Sequence, residues 1–392
     1  MKPPTRPSPL HEPTLDEEVL RPTHVEVDLD RIAANLEAIR AHVGRLVMPI
    51  LKANAYGHGL IPVARTMEAC NVPFLGLAFL EEAIAVRRAG VTTPILVLGG
   101  ILGDQIPLFL KHRLWLTASS VDKLTAIDRC ARSLGVRAGV HLKIDTGMER
   151  LGIHWYHAPK LLEASLGCTH VDVLGIFSHL ASSDEPDPTF TRLQLERFLE
   201  VLSFYERRSL PTPVRHLANS GGVLAHPDTW LDAVRPGILL YGVAPSDTVP
   251  RTIPVEPALT WKSTIVYFKV VEAGNPVSYG STWAPSTRTR LVTVPVGYGD
   301  GYPRALSNRS RVLIGGAEHP VVGRVCMDQS MVDLGPDGTG YNGDEVVLLG
   351  AQGGATLTVE ALARWAGTIP YEILTGINTR VPRVYRGGPT AP

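Results

Sequence analysis

A chain of 392 residues that is 44% hydrophobic and only 19% charged has enough apolar material for two packed cores and does not read as disordered. Its 38 basic and 38 acidic side chains cancel, which leaves no basic field to gather nucleic acid or an anionic membrane. No apolar run is long enough to predict a transmembrane helix.

The opening segment, Met1 to Pro9, lacks the apolar stretch of a signal peptide, and its prolines predict a flexible or extended tail up to about Glu18. From Asp30 to about Pro236, apolar runs alternate with amphipathic segments. Asp30 is placed to cap a helix whose apolar positions Ile32, Leu36, Ile39 and Val43 step by one turn each. Short apolar runs follow at Val47–Leu51, Phe74–Leu77, Ile95–Leu98, Leu114–Thr117, Val140–Ile144, Val171–Ile176, Val214–Leu217 and Leu231–Val234. Helical patterns separate most of them. One opens at Ser120 and stops at Gly135, and another covers Thr189 to Arg207. Strands alternating with helices predict an α/β fold, an N-terminal (β/α)8 TIM-like barrel. Pro49 has no N–H to donate, so a bulge or an unpaired position is expected in the first strand.

After Pro257 the pattern turns to short β-rich segments with Gly, Asn and Asp turns: Trp261–Val271, Arg290–Val296, Arg311–Ile314, Pro320–Val325, Met331–Leu334 and Asp344–Leu349. One short helix, Val359 to Ala366, interrupts them. The organisation expected is a tail over 1–20, a barrel domain over 21–256 and a mostly β C-terminal domain over 257–392. The cysteines Cys70, Cys130, Cys168 and Cys326 are scattered with no C-x-x-C pair. That argues against a metal site or a disulfide framework and makes the cytoplasm the default compartment.

The most informative stretch is Lys52-Ala53-Asn54-Ala55-Tyr56-Gly57-His58-Gly59. A lysine at the end of a buried strand is desolvated, which lowers its pKa. A partly neutral amine is what forms a Schiff base with an aldehyde. Tyr56 follows in a glycine-flanked turn able to hold a phosphate. Together these features point to a lysine that carries pyridoxal 5'-phosphate. For a lone lysine, a solvated strand end is the commoner outcome. Lys143, His179, Asn219 and Arg235 also lie at or just past the ends of different predicted strands, where barrel enzymes place their chemistry.

The stretch resembles the cofactor-lysine motif of the alanine racemases, and further motifs resemble that family in the same order. They are Lys143–Gly152, Ser178-His179, His216–Ser220, Arg235–Ile238 with Tyr241-Gly242, Val277–Gly280, Gly297–Arg304, Gly323–Gln329 and Ile369–Glu372. The resemblance spans nearly the whole chain after the first twenty or so residues. It implies that segment 22–28 adds a strand to the second domain. It also implies a racemase that interconverts L-alanine and D-alanine for peptidoglycan. A serine or broad-specificity racemase, a decarboxylase and a non-catalytic cofactor carrier are the competing readings.

On the resemblance, Lys52 holds the cofactor and acts on one face of the substrate, serving the D-enantiomer. Tyr279 serves the L-enantiomer on the other. Removal of the Cα proton needs an electron-withdrawing cofactor and a proton donor or acceptor on each face. Arg235 faces the pyridine nitrogen, and His179 supports it. Tyr56, Asn219, Ser220, Gly237, Ile238 and Tyr371 surround the cofactor, with Tyr371 crowding the substrate methyl. Arg150 and the Met327 N–H meet the substrate carboxylate. Lys143 matches a lysine that many members carry as a carbamate, an ordinary lysine paired with Asp145 being the alternative. Cys326 and Asp328 support the site. The resemblance implies a homodimer, with part of the second domain reaching into the partner's barrel.

Overall fold

A computed structural model describes residues 21–389. The tail expected over 1–20 lies outside that range.

The first helix shows how local chemistry sets the frame. It spans Leu29–Val43 and is capped by Asp28, whose carboxylate accepts the Arg31 N–H at 2.9 Å. The cap is therefore Asp28, two residues before the expected Asp30, which instead sits in the acidic first turn. Gly44 ends the helix at φ 55°, a conformation glycine adopts without strain. Ile32, Leu36, Ile39 and Val43 are buried, each contributing roughly 1.5–3 kcal/mol. Part of that packing is against the short turn Ile238–Tyr241, which backs the site described below.

Eight parallel strands close into a barrel: Leu46–Val47, Leu75–Leu77, Ile95–Val97, Leu116–Ala118, Ala138–Asp145, Val171–Phe177, Val214–His216 and Ala233–Val234. Single parallel bridges, Ile50 with Gly76 and Leu96 with Trp115, join the two-stranded and larger sheets into one ring. Pro49 interrupts the first strand as expected. Met48 and Ile50 donate to Val234 and Pro236 on one side. On the other side Pro49 can only accept, from the Gly76 N–H at 2.9 Å.

The second domain is built on a ten-stranded sheet. Strand His24–Asp28 belongs to it, antiparallel to Leu259–Thr264 and parallel to Arg383–Arg386. The segment expected as one strand over Trp261–Val271 is two, Leu259–Thr264 and Tyr267–Val271. The partners change between adjacent residues, because Ile265 donates to Asp344 O and Val266 to Thr293 O. A second short helix, Pro370–Gly376, follows Val359–Ala366 and had no forecast. The end of the barrel domain is held by Asn35, which is buried on the first helix. Its amide donates to Leu240 O and Glu256 O and accepts the Glu256 N–H, so the connecting chain is pinned.

Candidate active site

Lys52 emerges at the C-terminal mouth of the barrel and begins a left-handed turn. Ala53, Asn54, Ala55 and Tyr56 all have φ between 52° and 55°. Four successive non-glycine residues in this region cost about 1–2 kcal/mol each. The turn persists because its polar groups are satisfied. Ala55 N–H donates to Leu51 O at 2.8 Å and Gly57 N–H to Ala53 O at 3.0 Å. Asn54 Oδ1 accepts the Leu60 N–H at 2.8 Å, and Glu82 Oε1 accepts the Ala53 N–H at 2.7 Å. The turn swings Tyr56 inward, where it is buried. Burial lowers the Lys52 pKa, Arg150 lowers it further, and Glu82 opposes both.

Beneath Lys52 lies a cavity of about 680 Å³. Among the described residues its ionisable lining is four basic side chains, Lys52, Lys143, Arg150 and Arg235, and one carboxylate, Glu82. Tyr56, His179, Asn219, Ser220, Gly237 and Tyr371 complete the polar lining. Most of the residues singled out in the sequence therefore converge on one space.

Arg235 is buried on this floor. Its Nη2 donates to Ser178 O at 2.7 Å and Leu217 O at 2.9 Å, and lies 3.3 Å from His179 Nδ1. Its Nη1 lies 3.0 Å from His216 Nδ1. A guanidinium only donates, so His216 Nδ1 accepts and its hydrogen sits on Nε2. That Nε2 is 2.8 Å from His141 Nδ1, which fixes the His141 hydrogen on its own Nε2. Burial and the Arg235 charge hold both histidines neutral, His141 down to about 3 and His216 well below its ordinary value. His179 is likewise neutral, first through burial and then through Arg235. Burial pulls the guanidinium down to about 9, which keeps it charged at neutral pH. His216 and His141 had no assigned role in the sequence. His216 was visible in the His216–Ser220 motif, but nothing signalled His141.

One end of the cavity is a cradle. The Ser220 hydroxyl oxygen accepts the Gly237 N–H at 3.0 Å and the Leu239 N–H at 3.4 Å. A Cβ at Gly237 would stand 2.2 Å from the Tyr56 hydroxyl, so only glycine leaves that phenol its place. Ile238 opens a short 3-10 turn, whose first N–H has no partner within it. Burial pushes the phenols of Tyr56 and Tyr371 up, so both remain hydrogen donors. Asn219 contributes through the backbone frame: its Oδ1 accepts the Gly222 N–H and the Ser183 hydroxyl, and its Nδ2 donates to Leu180 O.

Lys143 is buried and does not pair with Asp145. Its Nζ donates to Ile144 O at 3.1 Å. The Asp145 carboxylate accepts the backbone N–H groups of Gly147, Glu149 and Arg150, which shapes the loop presenting Arg150 at the exposed rim. Burial, then the Arg235 charge, pulls the Lys143 amine down to about 7.

The second domain contributes unequally. Tyr371, on helix Pro370–Gly376, enters the cavity of its own barrel. Tyr279 does not. It is 72% exposed, on a short turn that lines a different hollow together with Cys326. Ser278 holds φ 69° beside it, and its hydroxyl donates to Arg324 O at 2.7 Å. Met327 is 54% exposed, and Asp328 is drawn to Arg380 at 2.7 Å. Within one chain, Lys52 and Tyr279 do not share a site.

Fold and site together define a two-domain barrel enzyme whose reactive amine and cationic floor lie at the C-terminal ends of the strands. Family models described as the alanine racemase N-terminal and C-terminal domains match residues 27–245 and 258–385. The alanine racemase of Symbiobacterium thermophilum is 44% identical over 378 residues, covering 96% of this chain and all of that protein. The crystal structure of alanine racemase from Streptomyces lavendulae, a D-cycloserine producer, superposes with a TM-score of 0.90 at 38% identity, over 95% of this chain and 98% of that one. The alanine racemase of Bartonella henselae, solved with covalently bound pyridoxal phosphate, gives 0.84 at 28% identity over 93% and 99%. The chain belongs to the alanine racemase family.

Proposed function

We propose that this protein interconverts L-alanine and D-alanine with pyridoxal 5'-phosphate attached to Lys52. The observation that carries the reading is one cavity holding a desolvated lysine, a buried cationic floor and a cradle of hydroxyl and N–H donors. Two arginines and two basic lysine amines against one carboxylate suit a phosphate together with a substrate carboxylate. The residues present fit that cofactor. Tyr56, Ser220, Gly237, Ile238 and Tyr371 would hold its phosphate, and Arg235 would donate to its ring nitrogen. When bound, it supplies an electron-withdrawing ring that makes the substrate Cα proton removable.

The protein's own part is placement. Lys52 Nζ takes or returns the proton on one face of Cα, and the phenol oxygen of Tyr279 does so on the other. Tyr279 would come from a second copy of the chain, since its own barrel does not receive it. The exposed Tyr279, Tyr298, Met327, Phe79 and Ile369 support a homodimer in which these surfaces are covered. Arg150 pairs with the substrate carboxylate beside the Met327 N–H of the same second copy, whose Cys326 and Asp328 hold that loop. Tyr371 narrows the space for the substrate side chain and favours alanine over serine. Lys143 is a near-neutral buried amine beside two arginines, the setting in which an amine adds carbon dioxide, releases a proton and gains a negative charge. The four cysteines are unpaired, in keeping with a cytoplasmic setting. The product would serve peptidoglycan.

The test is racemisation of a panel of L-amino acids by the cofactor-loaded protein, run in ¹³C-labelled bicarbonate. Alanine should be turned over fastest, and a carbamate carbon signal should appear in wild type and vanish in Lys143→Ala. A protein that binds the cofactor and leaves every optical rotation unchanged is a carrier, and the proposal fails.

A further inference from the structure

Glu82 belongs to no motif that carried the family resemblance, yet among the described residues it is the one carboxylate lining the cavity. It stands in the first turn of helix Leu80–Arg88, which follows the second barrel strand. Its two oxygens are used separately. Oε1 accepts the Ala53 N–H at 2.7 Å, the first peptide N–H after Lys52. Oε2 accepts the Ala78 N–H at 3.2 Å, just before its own helix. The side chain thus bridges the ends of two neighbouring barrel strands at the point where the left-handed turn begins. No neutral side chain can do this unchanged, because an amide offers one accepting atom where the carboxylate offers two.

We propose that Glu82 is a positioning residue for Lys52: it fixes the left-handed turn that aims the lysine into the cavity, and it supplies the local negative charge that keeps the amine basic. This rests on the reading of Lys52 as the cofactor lysine. The other titratable groups lining the same space are Tyr56, Lys143, Arg150, His179, Arg235 and Tyr371. The phenols are protonated and His179 is neutral, so Arg150 and Arg235 are the fixed positive charges there, and Lys143 is neutral or, once carbamylated, an anion paired with those arginines. Arg150 drives the Lys52 proton off, and Glu82 alone of the lining groups opposes it. An amine without that opposition would attach the cofactor readily but would be a weaker proton acceptor during turnover.

The experiment strips the full-length protein of cofactor, adds back pyridoxal phosphate, and follows its covalent attachment to Lys52, with loss of water, as a function of pH. Glu82→Gln and Glu82→Met remove the charge, whereas Glu82→Asp keeps it. In both neutral variants the attachment profile should move towards lower pH relative to wild type. In Glu82→Asp it should stay in place. All three should release the cofactor faster, since each disturbs the double hydrogen bond. A neutral variant whose profile coincides with wild type, or moves to higher pH, overturns the proposal, as does an aspartate variant that shifts like the neutral ones. Borohydride reduction of the wild type and mapping of the modified peptide separates the two readings. A label away from Lys52 defeats the proposed function. A label on Lys52 with unmoved variants defeats only the role of Glu82.

Discussion

At the scale of single residues, the site is organised around charges that are not allowed to move. Arg235 is held by two carbonyl oxygens and two neutral histidines, with no carboxylate among its hydrogen-bond partners in the described residues. If it faces the cofactor's ring nitrogen as proposed, that nitrogen must stay unprotonated. Arg235→Glu reverses this, because a carboxylate stabilises a protonated ring that an arginine repels. Racemisation should fall by about 100-fold or more, while transamination rises relative to it, read by keto-acid release. No gain in transamination would reduce Arg235 to an anchor. Another buried, uncharged histidine ties stability to pH. His58 is stacked on Tyr241 and pushed down to about 4, mainly by burial. The unfolded chain takes up this proton below its ordinary value near 6.5, and the folded chain does not. Stability is therefore intact above 6.5 and is lost as pH falls towards 4, by ~1.4 kcal/mol per pH unit per such histidine. In His58→Gln the decline of unfolding free energy between pH 6.5 and 4 should be shallower by about that slope. An unchanged slope would show that His58 does not stay neutral in the fold.

At the scale of elements, the sequence revealed what periodicity and strand ends encode, and missed what depends on partners far along the chain. Eight strands, the long helices and the placement of Lys52, His179, Asn219 and Arg235 at strand ends follow from local pattern, because burial at each position repeats with the element. The left-handed turn does not. Nothing at Ala53 or Ala55 signals a positive φ, and one of the bonds that holds the turn, Ala53 N–H to Glu82, comes from twenty-nine residues on. The partnership of His216 with Arg235 and the switch of strands at Ile265–Val266 are tertiary in the same sense. Helix Pro370–Gly376 is too short to carry a periodic signal, although Pro370 at its start is a fair marker. The cradle illustrates the dependence most sharply, since Gly237 and Tyr56 meet only in the fold. Gly237→Ala should displace the Tyr56 hydroxyl and remove a donor to the phosphate. A hydrogen bond to a charged group is worth about 1.5–3 kcal/mol, so cofactor affinity should drop about 10- to 100-fold, measured by equilibrium dialysis. Turnover at saturating cofactor should change much less. Wild-type affinity in this variant would mean that Tyr56 does not hold the phosphate.

For the whole molecule, the proposed roles of Lys52 and Tyr279 are ones that a single chain does not bring together. Tyr371 reaches the cavity of its own barrel, yet Tyr279 faces outward beside Cys326 on the same domain. The second domain is not free to swing and bring Tyr279 home. Asn35 grips the connecting chain at Glu256 through both its amide and its carbonyl oxygen, and strand His24–Asp28 locks that sheet to the segment leading into the first barrel helix. A rotation large enough to carry Tyr279 to Lys52 would withdraw Tyr371, on the same domain, from the cavity it lines. A twofold dimer resolves the conflict, since each second domain can serve its partner's barrel while keeping its own contacts, and two identical mixed sites result. Mixing Lys52→Ala with Tyr279→Phe subunits tests this. If sites are shared, a mixed dimer has one site with both lesions and one with neither. After subunit exchange, at equal input, racemase activity should rise from near zero towards roughly a quarter of wild type, because half the dimers are mixed and each has one intact site. Exchange is followed independently by labelling the two parents with different fluorophores. If energy transfer reports mixed dimers and activity stays at the level of the parents, Lys52 and Tyr279 act within one chain's site, and the shared-site arrangement is excluded.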